Sequence, residues 1–352
     1  MLMNKIKDTL SLCEHCYRHV PAISFERDGA IWLGKTCKQH GYQEHLVEPD
    51  ADFYLNYNYP RRDLSSYFIE VTNRCNLDCP HCYQEPDNKS VDPPIDYLLS
   101  LISSWPDDGL AVSLVGAEPT VRKDLPLLIE RIQSLSGKPR SIMILSNGVN
   151  LSREEYARQF IKFKNVMWTI GLNHPDYNGY TVRNKQMLGI DNCVKLGLPI
   201  KGISYTLEDL GQLEYCLEEI QKFYPLTKNF RVRVGSDIGR NPEGDKIYLS
   251  QLVKAIEQIA KDKKWTYATD INLGIRAHYP LVINGVYVKA IQWPDVTTLD
   301  MSEIQTEAIA DILPNRKRSP LVHQVILRDA SVNNKMMLYD TLPDEYNYIT
   351  AK

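Results

Sequence analysis

From Tyr67 onward the chain alternates apolar runs of strand length with longer amphipathic stretches, and that rhythm leaves few folds open. The candidate strands are Tyr67–Thr72, Leu110–Val115, Ser141–Leu145, Val166–Leu172, Ile200–Leu207 and Phe230–Gly235. Helix-like stretches fall between them near 93–106, 123–136, 152–163, 177–196 and 208–223, and another follows at 249–263. Repeated βα units of this kind predict parallel strands, and six of them make a partial (β/α)6 TIM-like barrel of the α/β class. A seventh strand is expected at Tyr267–Leu273.

The flanks read differently. Residues 1–50 are polar and cysteine-bearing with no helical period, which suggests a small metal-binding module of zinc-ribbon or rubredoxin-like type. Residues 51–66 read as a linker, 67–240 as the barrel core, and 241–352 as a barrel-closing α+β extension. That extension holds an expected hairpin at Tyr279–Trp293, turning at Asn284-Gly285. Asp300 with Glu303 resembles a capping box opening a helix to about Leu313.

Charge is balanced, with 41 basic and 44 acidic side chains, so nothing marks the chain for nucleic acid or an anionic membrane surface. No apolar run approaches the ~18 residues of a membrane span, and the N-terminus lacks a signal-peptide core, so a cytoplasmic location is expected. Six of the eight cysteines fall in two tight groups, a pattern that inside a cell signals metal sites rather than disulfides.

The first group to weigh is Cys75-x3-Cys79-x2-Cys82, directly after the first βα strand. Three thiolates can hold three irons of a [4Fe–4S] cluster and leave the fourth iron open to bind something else. The competing reading is a structural zinc site with His81 as fourth ligand. About forty residues on, Gly116-Ala117-Glu118-Pro119-Thr120 follows the second strand. Small residues there permit close backbone approach, and a carboxylate suits an ammonium group; Ala117 would matter if its position needs a positive φ.

Together these two motifs resemble the radical S-adenosylmethionine (radical SAM) superfamily. The resemblance implies that Cys75, Cys79 and Cys82 hold the cluster and that SAM chelates its open iron. An electron, from a donor such as flavodoxin or ferredoxin, then cleaves SAM to a 5′-deoxyadenosyl radical. It further implies that Gly116, Ala117 and Glu118 receive the methionyl amine and that His81 lies near the adenine. Ser146 and Asn147, in Ser146-Asn147-Gly148, would contact the ribose or the SAM carboxylate. His174, within Asn173-His174-Pro175-Asp176, is a candidate for holding substrate or relaying a proton, or is a plain loop residue. Arg183 could pair with the SAM carboxylate through its fork, and Thr206 is a further cofactor-binding candidate. Arg231 and Arg233 alternate onto one face with Asp237 beyond, either as substrate anchors or as solvated charges.

Cys13-x2-Cys16 and, twenty residues later, Cys37-x2-His40 have the spacing of a two-knuckle site for zinc or mononuclear iron, with His15 and His19 as spare ligands. Cys193 and Cys216 read as small core residues, and no auxiliary cluster is expected. The N-terminal cysteines ahead of the radical SAM core resemble the branch of pterin-methylating enzymes and tetraether lipid synthases. The expected activity is hydrogen abstraction from an unactivated C–H bond of a small polar metabolite, leading to methylation, C–C coupling or rearrangement. A maturase acting on a peptide or protein, with the hairpin as its docking element, and a non-catalytic nucleic-acid-binding metalloprotein are the other classes to weigh.

Overall fold

A computed structural model describes residues 3–16, 19–56, 66–80, 82, 86–103, 111–135, 141–227, 229–234, 246–269, 278–284, 286–291, 337–339 and 348–350. The N-terminal residues form an antiparallel sheet in simple order: β1 (Asn4–Leu12), β2 (His19–Arg27), β3 (Ala30–Cys37) and β4 (Gly41–Glu48). Asp28 and Gly29, at φ 54° and 75°, make the two-residue turn between β2 and β3, where Arg27 pairs with Ala30. Positive φ at both positions matches the twist of the strands it joins. A short helix α1 (Ala51–Asn56) follows, capped by the Asp50 carboxylate, which accepts from the Phe53 N–H at 2.8 Å.

The expected βα repeat then unfolds in order. Strands β5 (Ser66–Glu70), β6 (Ala111–Val115), β7 (Ile142–Ser146), β8 (Val166–Gly171), β9 (Ile200–Leu207) and β10 (Phe230–Val234) lie side by side, all parallel. Their crossovers carry α2 (Ile95–Ser103), α3 (Leu125–Gln133), α4 (Glu154–Arg158), α5 (Pro175–Asn178), α6 (Tyr180–Leu196) and α7 (Leu213–Phe223), and α8 (Leu249–Asp262) follows β10. The stretch expected as a helix over 152–163 is helical only in α4; beyond it the backbone continues in i→i+3 turns such as Phe160 N–H to Ala157 O at 3.1 Å.

One face of each strand packs on the helices. Leu213, Cys216, Leu217 and Ile220 of α7, with Leu249, Leu252, Val253 and Ile256 of α8, share one buried core with Phe230, Val232 and Val234. This i, i+3, i+4, i+7 spacing is what gives each helix a single apolar stripe. The opposite face of the sheet carries Ser113, Met143, Thr169, Ser204, Arg231 and Arg233.

After α8 come β11 (Tyr267–Thr269), β12 (His278–Ile283) and β13 (Val286–Ile291). The hairpin expected there exists, with Asn284 at φ 49° in its turn. It is no exposed docking element. β13 pairs parallel with β10, and Leu281, Ile283, Val286, Val288 and Ala290 are buried, so apolar burial against α8 draws the hairpin into the main sheet. The sheet order is β11-β12-β13-β10-β9-β8-β7-β6-β5, an open α/β sheet that does not close into a ring among the described residues. A two-stranded pair, β14 (Met337–Tyr339) and β15 (Tyr348–Thr350), is also present. The helix expected over Asp300–Leu313 lies outside the described residues.

Candidate functional site

The loops at the C-terminal ends of β5 to β9 gather most of the expected site residues, the place where a βα sheet leaves functional groups unobstructed. Cys75, Cys79 and Cys82 are half-buried in the loop after β5, and none of the eight cysteines is disulfide-bonded. That loop is braced at several points. Cys75 N–H donates to Asn88 Oδ1 at 3.0 Å, and Leu77 N–H donates to Cys75 Sγ at 3.3 Å. Arg74 and Thr72 both donate to the Asp92 carboxylate, Thr72 at 2.6 Å. Arg122, almost wholly buried, joins Val71 O at 2.9 Å to Asp124.

Burial, then the charges of Glu118, Cys79 and Cys82, push the Cys75 thiol up to about 12, against the Leu77 N–H. Ionising that thiol needs a cation beside it, which an iron of a bound cluster would supply. Three thiols on one loop, with an N–H donor on one of them, are a donor set of the kind that holds an iron–sulfur cluster. His81 lies outside the described residues.

Glu118 is the hub of the next strand end. Its Oε1 accepts from Thr120 N at 3.0 Å, Thr120 Oγ1 at 2.6 Å and Ser146 Oγ at 2.8 Å; its Oε2 accepts from Asn147 N at 2.6 Å. Burial raises its pKa, and these four donors oppose the rise. No cation forms an ion pair with it among the described residues. Gly116 sits at φ +128°, and a Cβ there would lie 2.3 Å from Thr72 O. Ala117 takes no positive φ, so its methyl is accommodated without strain, and its N–H donates to Thr72 O at 3.0 Å.

Asn147 ties the two motifs together. Its backbone N–H serves Glu118, while its Nδ2 reaches Asn76 Oδ1 at 2.8 Å and Cys75 Sγ at 3.9 Å. Gln186 of α6 in turn donates to Asn147 O at 3.1 Å and Gly171 O at 3.0 Å, holding the ends of β7 and β8. Asn150 and Tyr156 both donate to Thr120 O, at 3.0 and 2.9 Å. None of these supporting side chains follows from the sequence: each is a common polar residue whose partner lies 15 to 39 positions away.

Other candidates are placed elsewhere. The Arg183 guanidinium is buried and held by Glu219, which also accepts from Tyr205 OH at 3.2 Å and Tyr215 OH at 3.0 Å, and Arg183 donates to Asn173 O at 3.1 Å. That fork is spent on this chain's own carboxylate rather than on a ligand. His174 caps α5, its Nδ1 accepting from Asp176 N–H at 3.3 Å, and its ring meets Tyr215 edge-on at 4.8 Å. Thr206 N–H donates to Asn173 Oδ1 at 3.3 Å, and Thr206 Oγ1 accepts from Arg233 at 3.0 Å. Asp237 lies outside the described residues. Cys193 and Cys216 are core residues whose thiols burial pushes up to about 12.

The N-terminal donors converge. Cys13 and Cys16 lie between β1 and β2, Cys37 ends β3 and His40 lies in the β3–β4 turn, with one ligand atom from each within 4.8 Å of the others. Cys16 and Cys37 sulfurs are 3.9 Å apart, and His40 Nδ1 is 3.4 and 3.5 Å from Cys13 and Cys37. Tetrahedral zinc predicts about 3.8 Å between thiolates and about 3.5 Å from thiolate to imidazole, so the donors fit one ion. Burial pushes the Cys13 thiol up, but the Cys16 and His15 N–H groups and the Gln43 amide outweigh it and bring the pKa to about 6. Gln43 Nε2 donates to Cys13 Sγ at 3.5 Å, a supporting contact not legible from spacing. His15 turns instead to Glu14, Nε2 to carboxylate 3.4 Å, and the His19 side chain is outside the described set.

Residues 5–49 match the HMPTM N-terminal zinc ribbon domain, and residues 69–208 match the radical SAM superfamily. A 7,8-dihydro-6-hydroxymethylpterin dimethyltransferase of Methanocaldococcus jannaschii is 25% identical over 281 residues, covering 64% of this chain and 54% of that protein. A probable GTP 3′,8-cyclase of Methanococcus vannielii is 28% identical over 190 residues, covering 48% of this chain and 62% of that protein. The chain thus spans little more than half the length of these curated relatives. Streptococcus suis SuiB, in its S-adenosylmethionine complex, superposes with a TM-score of 0.47 at 15% identity, covering 67% of this chain and 52% of that one. The chain therefore carries a radical SAM domain over residues 69–208, with the cysteine loop and the buried Glu118 inside it, and a zinc ribbon over residues 5–49 ahead of it.

Proposed function

We propose that this protein is a radical SAM enzyme abstracting hydrogen from an unactivated C–H bond of a small polar metabolite, with a pterin or nucleobase-like heterocycle as the preferred class. When bound, the [4Fe–4S] cluster and SAM supply a 5′-deoxyadenosyl radical. Cys75, Cys79 and Cys82 hold the cluster. Glu118, preorganised by its four donors, receives the methionyl ammonium group, and Ser146 and Asn147 line the same edge. Arg74, Asp92 and Arg122 keep the loop in shape, so that the reacting groups meet without reorganisation. The ribbon donors Cys13, Cys16, Cys37 and His40 hold zinc in a closed shell and act structurally. Residues 67–240 are the catalytic core. The protein works in a reducing, cytoplasmic setting with a flavodoxin- or ferredoxin-type donor. Among the described residues no helix is long and apolar enough to cross a membrane.

The observation that carries this reading is Asn147, which joins the Glu118 carboxylate and the Cys75 loop in one network. The relative acting on a hydroxymethylpterin, and the zinc ribbon shared with that kind of enzyme, support the substrate class. The test is anaerobic: reconstitute the cluster, add SAM and dithionite, and assay 5′-deoxyadenosine against Cys79→Ala. Product from the intact chain only is the expected result. A chain that assembles no cluster, and binds zinc at Cys75, Cys79 and Cys82 instead, would refute the proposal.

A further inference from the structure

Two arginines stand on the open face of β10 without an acid to answer them. Phe230, Val232 and Val234 face the helices, so alternation sends Arg231 and Arg233 to the other side, the side of Thr206 and Ser204 on β9. The parallel register sets Arg231 between Ser204 and Lys289, and Arg233 beside Thr206. Both side chains are half-buried with their Nε atoms shielded from solvent and unpartnered; the Ser204 hydroxyl is buried and unpartnered as well. Arg233 makes one bond, to Thr206 Oγ1 at 3.0 Å. Among the described residues no carboxylate forms an ion pair with either guanidinium. Burial, and then the charge of Arg233, bring Arg231 down to about 10, and no acid opposes them.

Cations drawn this far out of solvent are normally paired, and among the described residues no pairing group answers these two. Elsewhere in this protein the rule is kept: Arg122, Arg74 and Arg183 each have their own carboxylate. Strand geometry places Arg231 and Arg233 roughly 6.6 Å apart along β10, so both forks can bracket one group. A single carboxylate would match one fork and neutralise one charge. A phosphate ester brings about two negative charges near neutral pH and three peripheral oxygens, enough for both forks and a hydroxyl. Arg233 lies one residue from the C-terminal end of β10, the same end of the sheet that presents the Cys75 loop and Glu118.

We infer that Arg231 and Arg233, with Ser204 and Thr206, form an anion site for the phosphate of a phosphorylated small-molecule substrate. This rests on the function proposed above in placing the reaction at that end of the sheet. The substrate is then anchored at β10 while its reacting carbon is directed toward the β5–β7 end.

The experiment is calorimetric titration of the full chain, held anaerobically at fixed ionic strength, with pyrophosphate, inorganic phosphate and succinate. Saturable binding of pyrophosphate or phosphate is expected, with succinate weaker. Arg231→Gln and Arg233→Gln each weaken it by about tenfold or more. Arg233→Lys keeps the charge, loses the fork, and binds between wild type and glutamine; it serves if a glutamine variant does not fold. No saturable phosphate uptake, uptake unchanged in the variants, or a preference for succinate overturns the assignment. SAM binding, titrated in parallel, is unchanged by the substitutions. A wild-type chain that takes phosphate but not SAM counts against the proposed enzyme and leaves the anion site standing.

Discussion

Gly116 and Ala117 are neighbours with opposite tolerances, and the difference is conformational. At φ +128° and with Thr72 O in the path of a Cβ, Gly116→Ala strains the backbone and displaces the loop that carries Cys75. We expect it to cost about 2–4 kcal/mol, read by urea unfolding. Ala117→Gly should cost only about 0.5–1 kcal/mol, since it merely loosens the unfolded chain. Arg183 offers a second test. Because Glu219 is buried with it, Arg183→Met leaves an unpaired carboxylate and should cost about 3–5 kcal/mol. Arg183→Met with Glu219→Met should recover much of that in a double-mutant cycle, short of the two tyrosine hydroxyls that Glu219 serves. Cys75, Cys79, Cys82 and Glu118 were conspicuous because two motifs, each following a strand, together resemble one family. The Arg183–Glu219 pair was not legible, since a lone arginine in a helix gives no sign of whether its carboxylate belongs to the chain or to a ligand.

At the scale of elements, the βα strands were legible to within a residue or two because parallel strands buried on both faces are strongly apolar. The ribbon strands were not, since β1 to β4 mix polar and apolar residues over one thin sheet, although Asp28-Gly29 was a turn signal in plain view. How that sheet meets the rest was equally invisible. Glu48, at the end of β4, accepts from the Ser250 N–H at 3.3 Å and from its hydroxyl, at the first turn of α8. Burial raises the Glu48 pKa above its ordinary 4.5, with Ser250 opposing. The folded state then holds the proton more tightly than the unfolded one. This contribution is full at acid pH and is lost as pH rises from about 4.5 through the folded value. Glu48→Gln removes that slope, so its stability relative to wild type should improve steadily over the same interval. Denaturation midpoints of both proteins across pH 4 to 8, compared pairwise, check it; a constant difference would show that Glu48 does not titrate differently on folding.

At the scale of the molecule, one sheet carries every strand among the described residues except the ribbon and the small β14–β15 pair, and its order explains why the hairpin belongs to it. Ending the chain before β12 would strip β10 of its partner β13 and bare an apolar edge. Such a truncation should aggregate on size exclusion where the full chain does not. The sequence supplied the hairpin through Asn284-Gly285 but not its neighbour, because the register with β10 is set across more than fifty residues. The ribbon has another logic. Its four donors sit at the ends of two hairpins, and the buried cluster around them is little more than Cys13, Val20 and Cys37. Folding of that sheet is therefore a binding isotherm. Its stability moves with the concentration of unbound metal, by about 1.4 kcal/mol for every tenfold change above the dissociation constant. Under metal starvation we expect the N-terminal sheet to lose stability, and the Glu48 contact with the first turn of α8 to weaken with it, so trace-metal supply becomes a setting on how tightly the two sheets are joined.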